Sequence, residues 1–78
     1  MTININPGVN YINNFPGSED VLCSTYDAYL KVIYLSAGFA YGVLAYVPGD
    51  MFPAFTSFCP GSGIYIVEAL SSFQIEYN

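Results

Sequence analysis

"FCPGSGIYIV", Phe58 to Val67, decides how the rest of the chain is read. A proline and two glycines sit in a tight cluster, and an uncharged run of β-branched and aromatic residues follows at once. A loop that cradles phosphate needs a strand before its glycines, a helix after them and usually a lysine. Here Ile64, Tyr65, Ile66 and Val67 come after Gly63, residues that favour a strand, and no lysine follows. Gly61 and Gly63 are therefore expected to supply positive φ in a turn that launches a strand.

The same grammar extends in both directions. "TININPGVNYI" alternates Ile3 and Ile5 with Asn4 and Asn6, the period of a half-buried strand. Pro7-Gly8 interrupts it, and Val9 to Ile12 resumes an extended pattern. "NNFPGSED" is dense in turn formers, and Ser18 ahead of Glu19 and Asp20 has the composition of a helix N-cap. Val21, Leu22, Thr25, Tyr26 and Tyr29 then recur at helical intervals, which predicts one short helix near residues 19–29. "KVIYLS" and "AYGVLAYV" read as strands with Ala37-Gly38 turning between them, and Pro48-Gly49-Asp50 as the stop of the second. "MFPAFTSF" contains Pro53, which restricts it to an edge strand or a loop. "SSFQIEYN" alternates again, with Phe73, Ile75 and Tyr77 inward and Gln74 and Glu76 outward. The sum is a single domain over residues 1–78, mostly β: a small antiparallel barrel or sandwich with one short helix. Gly8, Gly49, Gly61 and Gly63 are its expected structural turn positions.

Composition narrows the function. The chain has 78 residues, of which 54% are hydrophobic and only 9% charged. Soluble surfaces usually carry about 25–35% charged residues, so either uncharged polar groups cover this one or neighbours do. The net charge is −5, with Lys31 as the single base. Nucleic-acid binding needs cations to displace phosphate counterions, and one lysine does not supply them. No pattern of a signal peptide is visible behind Met1.

Catalytic equipment is sparse. There is no histidine, so neither a nucleophile–histidine pair nor a zinc set can be assembled. Glu19 and Asp20 are neighbours at an expected helix start, where they complement the dipole. Asp50 finishes a turn, with a weak calcium ligand as the alternative. Cys23 and Cys59 are expected to be free thiols, with a disulfide as the other possibility. No enzyme, cofactor or metal is expected.

The uncharged run from Val32 to Gly49 has the length of a membrane span. Tyr34, Tyr41 and Tyr46 would place phenols deep in hydrocarbon, so a strand pair is the preferred reading. Eight tyrosines and six phenylalanines exceed what one small core holds. Tyr brings large rigid area and a hydroxyl to interfaces, and the surplus points to protein–protein contact. The expected contact residues are Tyr41, Tyr46, Met51, Phe52 and Phe55. The alternative for the Met51–Phe55 loop is that it folds back and caps the core.

The order of motifs resembles small β modules of bacterial surface proteins and bacteriophage virion proteins. Those modules carry a "GWNLIS"-like opening, a central "Y-x-P-G" and a late "L-x-P-G-x-G-Y-W-I". Gly8-Val9-Asn10-Tyr11-Ile12 is similar to the opening, with Val9 at the tryptophan position. Tyr46-Val47-Pro48-Gly49 is similar to the centre, and Phe58 to Ile66 to the late motif, with Ile64-Tyr65 in place of Tyr-Trp. The resemblance implies a non-catalytic structural or adhesive module. It does not name the surface. A short, acidic, aromatic-rich chain with few charges is read first as an accessory subunit of a phage particle, with a phage major capsid protein or another virion protein and further copies of itself as expected partners and the virion as expected location. The alternatives are a bacterial surface module that stacks carbohydrate on Tyr41 and Tyr46, and a small viral membrane protein spanning 32–49.

Overall fold

The computed structural model describes residues 1–36 and 42–78. The expected Ala37-Gly38 turn and Tyr41 lie outside the described residues. Among those described run β1 (Thr2–Ile5), β2 (Gly8–Asn13), β3 (Val21–Leu22), a 3-10 helix (Cys23–Tyr29), β4 (Leu30–Ser36), β5 (Leu44–Tyr46), β6 (Ser57–Phe58), β7 (Ile64–Ala69) and β8 (Phe73–Glu76). The Pro60–Gly63 segment is the turn the sequence calls for. Gly61 has φ 71° and Gly63 φ 109°, and β7 begins at the next residue.

β7 lies inside a four-stranded antiparallel sheet of order β2-β7-β4-β5. Alternation sends Tyr65, Val67 and Ala69 to one face, where all three are buried. Their cross-strand partners Ile12, Ile33 and Leu35 are buried on the same face. Two ribbons, β1-β8 and β3-β6, cover that face and contribute Ile5, Ile75 and Phe58 to the core. The architecture is mostly β and antiparallel, layered like a sandwich. Among the described residues the large sheet is open, with β2 and β5 at its edges.

An aromatic cluster fills the centre. Phe15 stacks on Phe58 with ring centroids 5.1 Å apart, and Tyr65 meets Phe58 edge-on at 5.0 Å. Phe15 also meets Tyr65 at 6.2 Å and Tyr77 at 6.0 Å. Aromatic pairs in such geometries contribute about 0.5–1.5 kcal/mol each beyond the area they bury. Tyr65 is wholly buried, and its hydroxyl is satisfied by its own upstream turn. It accepts the Cys59 N–H at 2.8 Å, meets Ser62 Oγ at 3.2 Å and donates to the Ser57 carbonyl at 3.4 Å. The final strand packs inward as its alternation predicts. Ile75 is buried, Phe73 and Tyr77 are half-buried against the core, and Gln74 and Glu76 are exposed.

One expectation requires correction. The helix begins at Cys23, not at Glu19, and Ser18 does not cap it; Leu22 stands at its N-cap with no side-chain bond. Val21 and Leu22 pair instead with Phe58 and Ser57, which holds the chain extended just where the helix was to start. With three residues per turn, Cys23, Tyr26 and Tyr29 share one face, while Leu22 and Thr25 are exposed. Tyr26 and Tyr29 stack on Phe73 at 5.2 and 5.3 Å, fastening the helix to β8. The preferred strand reading of 32–49 holds where the chain is described: residues 32–36 and 44–46 are strands, and no described helix is long and apolar enough to cross a membrane.

Two glycines separate backbone strain from steric exclusion. Gly61 and Gly17 both have positive φ, but a Cβ on Gly61 meets open space. A Cβ on Gly17 would run into the Asn78 carbonyl oxygen and come within 2.9 Å of the Tyr77 ring. Gly61→Ala should therefore cost about 1 kcal/mol for backbone alone, and Gly17→Ala distinctly more. Urea unfolding of both variants checks the order, and equal costs contradict the close approach at Gly17.

Candidate functional site

The five expected contact residues are distributed unequally. Tyr46 is corrected outright: it is only 6% exposed, at the end of β5 on the core side of the sheet. Its hydroxyl donates to Asp27 Oδ1 at 2.6 Å, a short charge-assisted bond that ties β5 to the helix. Its ring is buried and not displayed as a stacking platform, although Tyr46 is among the residues lining the cleft beside Met51. Tyr41 lies outside the described residues.

The loop after β5 divides its apolar residues. Phe55 is half-buried, with its ring 6.0 Å from Tyr46 and 5.9 Å from Tyr65, so it caps the core. Met51 and Phe52 point the other way and are 83% and 86% exposed. The loop cannot tuck them in, because it is pinned on both sides. Upstream, the Asp50 N–H donates to the Val47 carbonyl at 3.0 Å and Asp50 Oδ1 accepts the Phe52 N–H at 3.1 Å. Downstream, the Cys23 N–H donates to the Thr56 carbonyl at 2.9 Å. Leu22, Tyr46, Met51 and Pro53 line a cleft of about 390 Å³ together with Asp27 and Asp50. Its lining is mostly apolar and includes two carboxylates.

A second surface has no counterpart in the sequence reading. On the sheet face turned away from the core, Tyr11 is 70% and Val9 54% exposed. Glu19, Asp20 and Glu76 line another cleft, of about 380 Å³, beside the chain ends. Among the described residues no group of His, Cys, Asp and Glu is arranged to hold a metal. Both cysteines are free thiols, Cys23 buried and Cys59 half-buried. No family model, curated protein or solved structure matches this chain.

Burial tunes several ionisable groups. It pushes the Cys23 thiol up to about 12, with the charges of Asp27 and Cys59 adding to the effect. It also raises Tyr46, where the bond to Asp27 acts in the same direction, and Tyr65. None of these groups is poised as a nucleophile or base near neutrality; each is held in its protonated form.

Two outcomes follow from this geometry. The folded chain keeps the Cys23, Tyr46 and Tyr65 protons at pH values where the unfolded chain releases them. Stability is therefore flat through neutrality, begins to fall near pH 9 with thiol ionisation in the unfolded chain, and falls more steeply above about pH 10. Urea midpoints between neutral and strongly alkaline pH measure this, and Tyr46→Phe should flatten the steep limb. For the loop, Phe55→Ser should cost about 2 kcal/mol or more, whereas Phe52→Ser should stay within about 0.5 kcal/mol. Thermal melts of the two variants separate cap from exposed tip.

Proposed function

We propose that this chain is a non-catalytic structural subunit of a bacteriophage particle, a small decoration or accessory protein that works through protein–protein contact. The observation that carries it is the pair Met51 and Phe52, both exposed on a loop whose two ends are pinned. Large apolar side chains held out in water lower the stability of nothing by being there, but they gain free energy when a partner covers them. The charge deficit supports the same reading, since a surface with few charges is easily desolvated. The particle itself enters through the resemblance of the Gly8–Ile12, Tyr46–Gly49 and Phe58–Ile66 motifs to modules shared by bacteriophage virion proteins and bacterial surface proteins. The partner on this reading is a major capsid protein or another virion protein, seated on the cleft beside Met51.

Mass spectrometry of particles purified from cultures that carry the gene should find the chain in many copies per particle. A Phe52→Ser variant that melts like the parent should be under-represented in those particles by about tenfold, the size of an effect near 1.4 kcal/mol. Particles that lack the parent chain altogether overturn the proposal.

A further inference from the structure

An antiparallel sheet that covers a core with one face ordinarily turns polar residues to water on the other. This sheet does not. Its register aligns Tyr11, Ile66, Tyr34 and Ala45 across all four strands on the outward face. The row on one side is Val9, Glu68 and Val32, of which Val32 is already buried, and the row on the other is Asn13, Ile64 and Ser36. Val43 and Val47 flank β5 with the alternation of Ala45, and both are exposed. Across these rows Glu68 is the one charged residue, and the single base, Lys31, is exposed on β4 at the bulge between Leu30 and Val32. The other carboxylates lie off the sheet: Glu19 and Asp20 before β3, Asp27 in the helix, Asp50 in the loop and Glu76 on β8.

We infer that this outward face pairs with the same face of a second copy of the chain. The inference rests on the reading of the chain as an assembly subunit and names one of its contacts. Charge selects the occupant. Two chains of net charge −5 repel each other through most approaches, and least through the face that carries a single carboxylate. A basic partner finds little to complement here and is drawn instead to the acidic rims elsewhere. Shape agrees, because two copies of one twisted sheet stack about 10 Å apart with strands about 30° off parallel and their side chains interdigitated. Strand spacing of about 4.8 Å and rise of about 3.3 Å per residue give the face a flat footprint of roughly 400 Å². Two copies, with the relief of Tyr11 and Val9 included, come close to the roughly 1,000 Å² at which specific interfaces begin. The pairing is therefore weak and reversible in the isolated chain, and it strengthens where copies are concentrated on a particle.

The test is sedimentation velocity of the isolated chain from about 10 μM to about 1 mM, alongside Tyr11→Lys and Ile64→Lys. The parent should shift from monomer to dimer within that range, and each variant should need at least about tenfold higher concentration. Amide chemical shifts of the parent, recorded over the same range, should move in β2, β4 and β7. That mapping stands even if a variant fails to fold. A parent that is monomeric throughout overturns the inference, as do shifts confined to residues 50–53 or a dimer that a folded Tyr11→Lys leaves unchanged. A monomeric chain that is nonetheless present in particles refutes the self-pairing alone; a dimeric chain absent from particles refutes the assembly reading alone.

Discussion

The hydroxyl of Tyr65 lies at the bottom of a fold that has little polar material to spare. Its ring sits between Phe15, Phe55 and Phe58, out of reach of water, so the oxygen must find partners inside the protein. It finds them in the turn six to eight residues upstream, through the Cys59 N–H and the Ser57 carbonyl. Ser62 closes the arrangement by donating to the Cys59 carbonyl as well as meeting the phenol. One side chain thus fixes the turn to the strand that the turn starts. Because β7 pairs with β2 on one side and β4 on the other, both registers inherit that alignment. The Asn14 N–H donates to the Gly63 carbonyl and the Gly61 N–H to the Phe15 carbonyl, so the neighbouring connection is tied to the same turn.

Phenols do elsewhere in this chain what ion pairs do in most small domains. Tyr46 reaches Asp27 and joins β5 to the helix. Tyr26 accepts the Glu76 N–H at 2.9 Å while its ring stacks on Phe73, joining the helix to β8. A chain with one lysine cannot build a network of salt bridges, and hydrogen bonds from aromatic tips supply the cross-links instead. The consequence is that much of the tyrosine complement is consumed internally. What remains outside, Tyr11 above all, stands on a sheet face almost free of charge. The abundance of aromatics and the shortage of charge therefore have two separate outlets, one in the core and one on the surface.

The two exposed apolar regions differ in chemistry. The Met51–Phe52 tip stands beside a cleft lined in part by Asp27 and Asp50, a combination that suits a partner with apolar and basic groups together. The outward sheet face is broad and nearly uncharged, a combination that suits a like surface. On the proposed reading, one region meets the shell and the other meets further copies of the chain.

Local rules determined the strands, the turns and the existence of a helix. The alternation of Ile3 and Ile5, of Phe73 and Ile75, and of Tyr65 and Val67 can only bury one side of an extended chain. Proline and glycine at Pro48-Gly49 and Pro60 to Gly63 permit only turns. The start of the helix was not legible, because Val21 and Leu22 fit a helix face or a strand equally well, and a partner strand more than thirty residues away chose the strand. Phe15 was read only as part of a turn-rich break, yet it is a centre of the core, since a loop residue is buried by what folds over it and not by its own period. The same non-local packing divided the loop, taking Phe55 inward and leaving Met51 and Phe52 outside. It also took Tyr46 from the surface. The composition announced that aromatic surface would be in excess, but which rings face water depends on register between strands distant in the chain, and register exists only in the folded molecule.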